Sequence, residues 1–124
     1  MLFYNDKGNE YGGIAISNPG NSRLKAIAFD YSNADAIGLF ARDDSDGRNF
    51  QAGLIINDKV VGGKAGAAVS RITLNTSNGN AGLVINGPDE EPRIKISVDS
   101  LGKPLFQILN EKGEIIQQFS DLKK

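Results

Sequence analysis

Short apolar, β-branched runs separated by small polar turns occupy this chain from end to end. Over residues 93–98 the alternation is clean: Ile94, Ile96 and Val98 point one way, and Arg93, Lys95 and Ser97 the other. That period of two predicts a strand with one dry and one wet face. Over 104–109 the alternation fails, with Leu105 and Leu109 on one side and Phe106 and Ile108 on the other. The same doubling recurs at Leu54-Ile55-Ile56 and at Leu83-Val84-Ile85. Burying one such side chain is worth roughly 1.5–3 kcal/mol, so a strand apolar on both sides calls for cover on both sides. Either a second layer of this chain supplies that cover or another subunit does. Phe106, Ile108, Ile55 and Val84 are the expected contact residues of a homo-oligomer.

The turns repeat as regularly as the strands. A small polar residue, two spacers and a glycine occur at Asn5–Gly8, Asp44–Gly47, Thr76–Gly79, Asp99–Gly102 and Asn110–Gly113. Asn or Asp at the first place bonds back onto its own turn, and glycine at the fourth accepts the left-handed backbone that closes a hairpin. In the second half the apolar segments step by eleven, through Ile72, Leu83, Ile94, Leu105 and Ile116. A strand of six or seven residues plus a turn of four gives that period, the signature of an up-and-down meander. Residues 60–69 break the pattern and predict a loop, with helical character confined to its tail, Ala65 to Ser70.

These patterns predict an all-β, antiparallel meander of about nine or ten short strands with an 11-residue hairpin repeat. It forms a single domain over 1–124, an irregular half at 1–70 and a regular half at 71–119. So wide a sheet curls, splits into two layers or finds partners for its edges. A two-layer or prism-like arrangement that self-associates is therefore expected, with a closed β-barrel as the alternative.

Composition narrows the chemistry. Among 124 residues there are 14 Lys and Arg against 15 Asp and Glu, a balance unlike the lopsided field of a nucleic-acid or anionic-membrane binder. Nucleic acid is therefore not an expected partner, and no run is apolar enough to predict direct membrane insertion. The absence of histidine and cysteine removes Ser-His-Asp triads, Cys-His pairs, disulfides and ordinary zinc sites. No cofactor and no resident metal is expected.

Four motifs carry residue types with chemical potential. Gly62-Gly63-Lys64-Ala65 lacks the hydroxyl residue after lysine and the earlier glycine of a phosphate loop, so it predicts a hairpin tip. Asp43-Asp44-Ser45-Asp46-Gly47 fails the positions of a calcium loop and predicts an acidic turn. Asp89-Glu90-Glu91 between two prolines does the same, without the cleft a glycosidase pair needs. Phe3, Tyr4, Tyr11 and Tyr31 are aromatic candidates: beside Asn5, Asp6 and Glu10 they would suit a glycan or peptide, although strand aromatics more often pack across strands.

The stretch Phe3-Tyr4-Asn5-Asp6-Lys7-Gly8-Asn9-Glu10-Tyr11-Gly12-Gly13-Ile14 resembles a family of small, uncharacterised bacterial all-β proteins. Their hairpin reads Phe-Phe/Tyr-Asn-x-x-Gly-Asp/Asn-Glu-x-Gly-Gly-Leu/Ile. Phe29-Asp30-Tyr31 and Ala52-Gly53-Leu54 match later strands of that family, while Asn57-Asp58-Lys59 departs from its Asp-Arg-Pro. Family members often carry a membrane-spanning segment ahead of this region. The resemblance thus implies exposure outside a membrane if such a segment precedes Met1, and a cytoplasmic location otherwise. It implies no activity. The expected function is a non-enzymatic structural or interaction module that self-associates. The alternative is a glycan- or peptide-binding module using Tyr4, Asn5, Glu10, Tyr11 and Asp30.

Overall fold

The structure, a computed structural model, describes residues 1–120 as ten antiparallel strands in one sheet whose spatial order is the order of the chain. They are β1 (Leu2–Tyr4), β2 (Glu10–Ser17), β3 (Ser22–Asp30), β4 (Asp35–Asp44), β5 (Phe50–Lys59), β6 (Ala68–Ser77), β7 (Asn80–Asn86), β8 (Pro92–Val98), β9 (Pro104–Leu109) and β10 (Ile115–Ser120). The expected all-β class, meander and strand number are all present.

Register sorts the side chains onto two unlike faces, because partners opposite one another point to the same side of the sheet. One row runs Ile14–Ile27–Leu39–Leu54–Leu74–Leu83–Ile96–Phe106–Phe119, unbroken from β2 to β10. Beside it on the same face runs Phe29–Ile37–Ile56–Ile72–Ile85–Ile94–Ile108, which ends at Gln117. Phe3 stacks on Phe29 with ring centroids 5.7 Å apart, and Phe106 meets Phe119 edge-on at 6.0 Å. The opposite face is small and polar. Its rows include Gly13–Ala28–Gly38–Ile55–Thr73–Val84–Lys95–Gln107–Gln118. Lys95 and Gln107 therefore face water opposite the aliphatic ladders.

The hairpins explain the register. Asn5 Oδ1 accepts hydrogen bonds from the Lys7 and Asn9 amides, and Asp99 and Asn110 hold their turns in the same way. The turn glycines Gly8, Gly47, Gly102 and Gly113 all have positive φ, between 72° and 83°. The hairpin at Asn78-Gly79 is tighter than expected. Both residues have positive φ and Ser77 pairs directly with Asn80, a two-residue loop of the kind Asn-Gly favours.

Three expectations need correction. No second layer lies over this sheet among the described residues, and the sheet does not close into a barrel: substantial contacts join consecutive strands only. Interior burial is correspondingly thin, and among the described residues Leu109, at 8 % exposure, is the one large apolar side chain that is buried. The period of eleven keeps Ile72, Leu83 and Ile94 on the apolar face but puts Leu105 on the other, because the β7–β8 pairing carries a register shift at Ile85/Asn86 that the β8–β9 pairing lacks. The segment 60–67 forms two tight turns rather than a helical tail, and Ala68 to Ser70 belong to β6.

One glycine is held by contact as well as conformation. Gly12 has φ 132°, and a Cβ there would lie 2.1 Å from the Ala28 carbonyl oxygen across the strand. Gly12→Ala should therefore cost more than the roughly 1–3 kcal/mol of a strained backbone alone and lower the thermal midpoint by about 5 °C or more. Gly8→Ala, at a positive φ with open space around it, should cost clearly less in the same melting experiment.

Candidate functional site

The first candidate is the apolar face itself. Nine of its large side chains remain exposed, among them Leu39 at 54 %, Leu74 at 50 % and Phe119 at 57 %. On the same face Ala41, Ala52, Thr76 and Ala81 follow one another across β4 to β7. Short side chains in that row, beside the taller Leu39, Leu54 and Leu74, leave an open depression of about 930 Å3. Its lining takes in two consecutive rows of the apolar face and the backbone between them, which places it on that face. Lys25 stands at its margin, 3.1 Å from Asp43, which also meets Arg23 at 2.6 Å. The hydrogen bond from Lys25 and the nearby Arg23 charge hold the Asp43 carboxyl below its ordinary value.

The expected contact residues divide between the faces. Phe106 and Ile108 lie in the two apolar ladders, whereas Ile55 and Val84 lie on the polar face with Thr73 between them. The doubling seen in sequence thus places aliphatic side chains on that mixed face, which Leu24, Phe40 and Leu105 also share. Ile55 and Val84 are half-buried by their neighbours.

The second candidate is an acidic corner at the end of the sheet that carries the loops 31–34 and 60–67. Glu10, Asp30, Asp35, Tyr31, Asn33 and Asn57 line a cavity of about 610 Å3 there. The loops are tied to one another and to the strands below. Asn33 Nδ2 donates to the Ala67 carbonyl at 3.1 Å and the Gly66 amide to the Asn33 carbonyl at 2.5 Å, while the Tyr31 hydroxyl donates to the Asn57 carbonyl at 2.9 Å. Asp30 and Asp35 oppose each other across β3 and β4 beside a register shift. Burial, then the hydrogen bond and charge of Asp35, then the charge of Glu10, raise the Asp30 carboxyl above its ordinary 3.8. Asp30 Oδ1 and Asn33 Oδ1 are sealed from solvent without a hydrogen-bond partner.

Of the five ligand candidates, only Glu10 and Asp30 line this cavity. Tyr4 opposes Glu10 in the β1–β2 ladder but is 58 % exposed, Asn5 is occupied in its own turn, and Tyr11 is half-buried outside the cavity. Sequence reasoning passed over Asp35, Asn33 and Asn57. The available signal was a pair of aspartates bracketing a four-residue turn, which places their carboxyls across one rung.

The remaining acidic motifs are committed to their turns. Asp44 accepts from Asn49 and Asp46 from the Arg48 amide, while Arg93 holds Asp89 and lowers its carboxyl below the ordinary range. Glu90 accepts from the Ser70 amide, and Arg71 pairs with Asp58. Among the described residues no three acidic, histidine or cysteine side chains are grouped to hold a metal ion. Comparison with family models, with curated proteins and with solved structures returned no match.

The raised Asp30 carboxyl has a definite sign. The folded state holds this proton more tightly than the unfolded chain, so the contribution is complete below 3.8 and is lost as pH rises through the folded value. Asp43 and Asp89, both lowered, act oppositely and lose their contribution as pH falls below 3.8. Asp30→Asn should therefore flatten the decline in thermal midpoint on the alkaline side of 3.8, leaving the acid-side loss in place. Melting curves across that range, wild type against variant, measure it.

Proposed function

We propose that this chain is a non-enzymatic interaction module whose apolar sheet face closes against the same face of a second copy. One observation carries the reading. The chain exposes 8574 Å2, whereas a compact monomer of this size exposes about 6,400 Å2. The surplus of roughly 2,000 Å2 per chain, taken over two copies, falls in the range that obligate homodimer interfaces bury, about 2,000–5,000 Å2 in total.

Chemistry and charge favour the same occupant. The central ladder holds no charged residue across nine strands. A net charge of −1 leaves little repulsion between identical chains. Two sheets facing each other at the usual spacing of about 10 Å would form the sandwich core that one sheet lacks. Finishing the burial of each half-exposed Leu or Ile adds roughly 1 kcal/mol, half the value for complete burial. The missing histidine and cysteine support a binding role over a catalytic one. Glycan or peptide binding by the first hairpin has weaker support, since Tyr4 and Asn5 stand outside the cavity that Glu10 and Asp30 share.

Sedimentation equilibrium tests the reading. Leu39→Glu combined with Leu74→Glu puts two carboxylates in the central ladder and should halve the assembly mass. Lys95→Glu, on the opposite face, should leave the mass unchanged. A wild type that sediments as a monomer at tens of micromolar would refute the proposal.

A further inference from the structure

The two margins of the sheet are built differently. β1 offers three residues to a neighbour, whereas β10 offers six: Ile115, Ile116, Gln117, Gln118, Phe119 and Ser120. All six are exposed, and among the described residues β10 pairs with β9 alone. Edge strands are normally blunted by shortness, charge, proline or cover. β1 is short, but β10 carries no charge, no proline and no glycine, and it is rich in β-formers. That composition marks a strand able to accept another along its free amides and carbonyls.

We propose that β10 pairs antiparallel with β10 of another copy across a two-fold axis. The asymmetry of the margins selects this partner. A head-to-tail join of β10 to β1 would pair three residues, leave half of β10 open and propagate into a filament. The self-pairing uses the whole strand and closes. A two-fold relating antiparallel neighbours in one sheet stands perpendicular to it, so the two apolar faces stay on the same side. The ladder ending at Phe106–Phe119 then continues into the second chain. This edge is independent of the face-to-face contact. Where both operate, two such twenty-stranded sheets close face to face into a tetramer with three mutually perpendicular two-folds.

Ile116→Lys combined with Gln118→Lys sets like charges against one another across the proposed axis while keeping β10 extended. Sedimentation should give a tetramer for the wild type, half that mass for this edge variant, half for Leu39→Glu with Leu74→Glu, and a quarter for all four changes together. A wild-type dimer that the face pair alone converts to monomer overturns the edge and leaves the face contact standing. A wild-type dimer that only the edge pair dissociates overturns the face contact instead. Amide exchange in the unmodified protein decides the matter without variants. β10 amides protected in concentrated solution and released on dilution support the edge, and free-strand rates at every concentration overturn it.

Discussion

A single antiparallel sheet can satisfy its backbone within itself, but it can bury side chains only where something lies over it. Here the ladder from Ile14 to Phe119 commits nine strands to one apolar side, and the described residues place nothing on top of it. Everything else in the molecule is compatible with that unfinished state. The hairpins are tight and individually bonded, the charged pairs lie at margins and turns, and the opposite face is polar enough to remain wet. The local structure is complete, and the core is half made.

The same arrangement separates positioning residues from chemical ones. Asn5, Asp99 and Asn110 spend their side chains on turn amides, and Asp89 and Asp43 spend theirs on Arg93, Arg23 and Lys25. What remains unspent is apolar surface and one corner where Asp30 and Asp35 crowd together. The corner adjusts stability with pH. The surface is the side of the sheet that the described residues leave uncovered.

Much of the fold was legible in the residues. Alternation at 93–98 gave the correct faces because that strand is wet on one side, and the turn glycines marked four of the five hairpins as they stand. The repeat of eleven misled at Leu105, since the register shift between β7 and β8 has no counterpart between β8 and β9, and a one-residue change of register reverses a strand whose side chains alternate. Doubled apolar positions suggested cover on both sides. Register shows instead that Leu54, Ile56, Phe106 and Ile108 share the large face, while Ile55 and Val84 lie on the opposite one. The acidic corner was only half legible. Glu10 and Asp30 belong to strands adjacent in sequence, but Asn33, Asn57 and the 60–67 loop join them through contacts that no local pattern encodes.

The most direct test is the reactivity of a thiol placed on the apolar face, which the absence of native cysteine makes unambiguous. Leu39→Cys should react with a maleimide far more slowly than Leu101→Cys on an exposed turn, and should accelerate toward it on dilution. Equal rates at all concentrations, in a protein retaining its β-sheet circular dichroism, would show the face open to water and contradict the account.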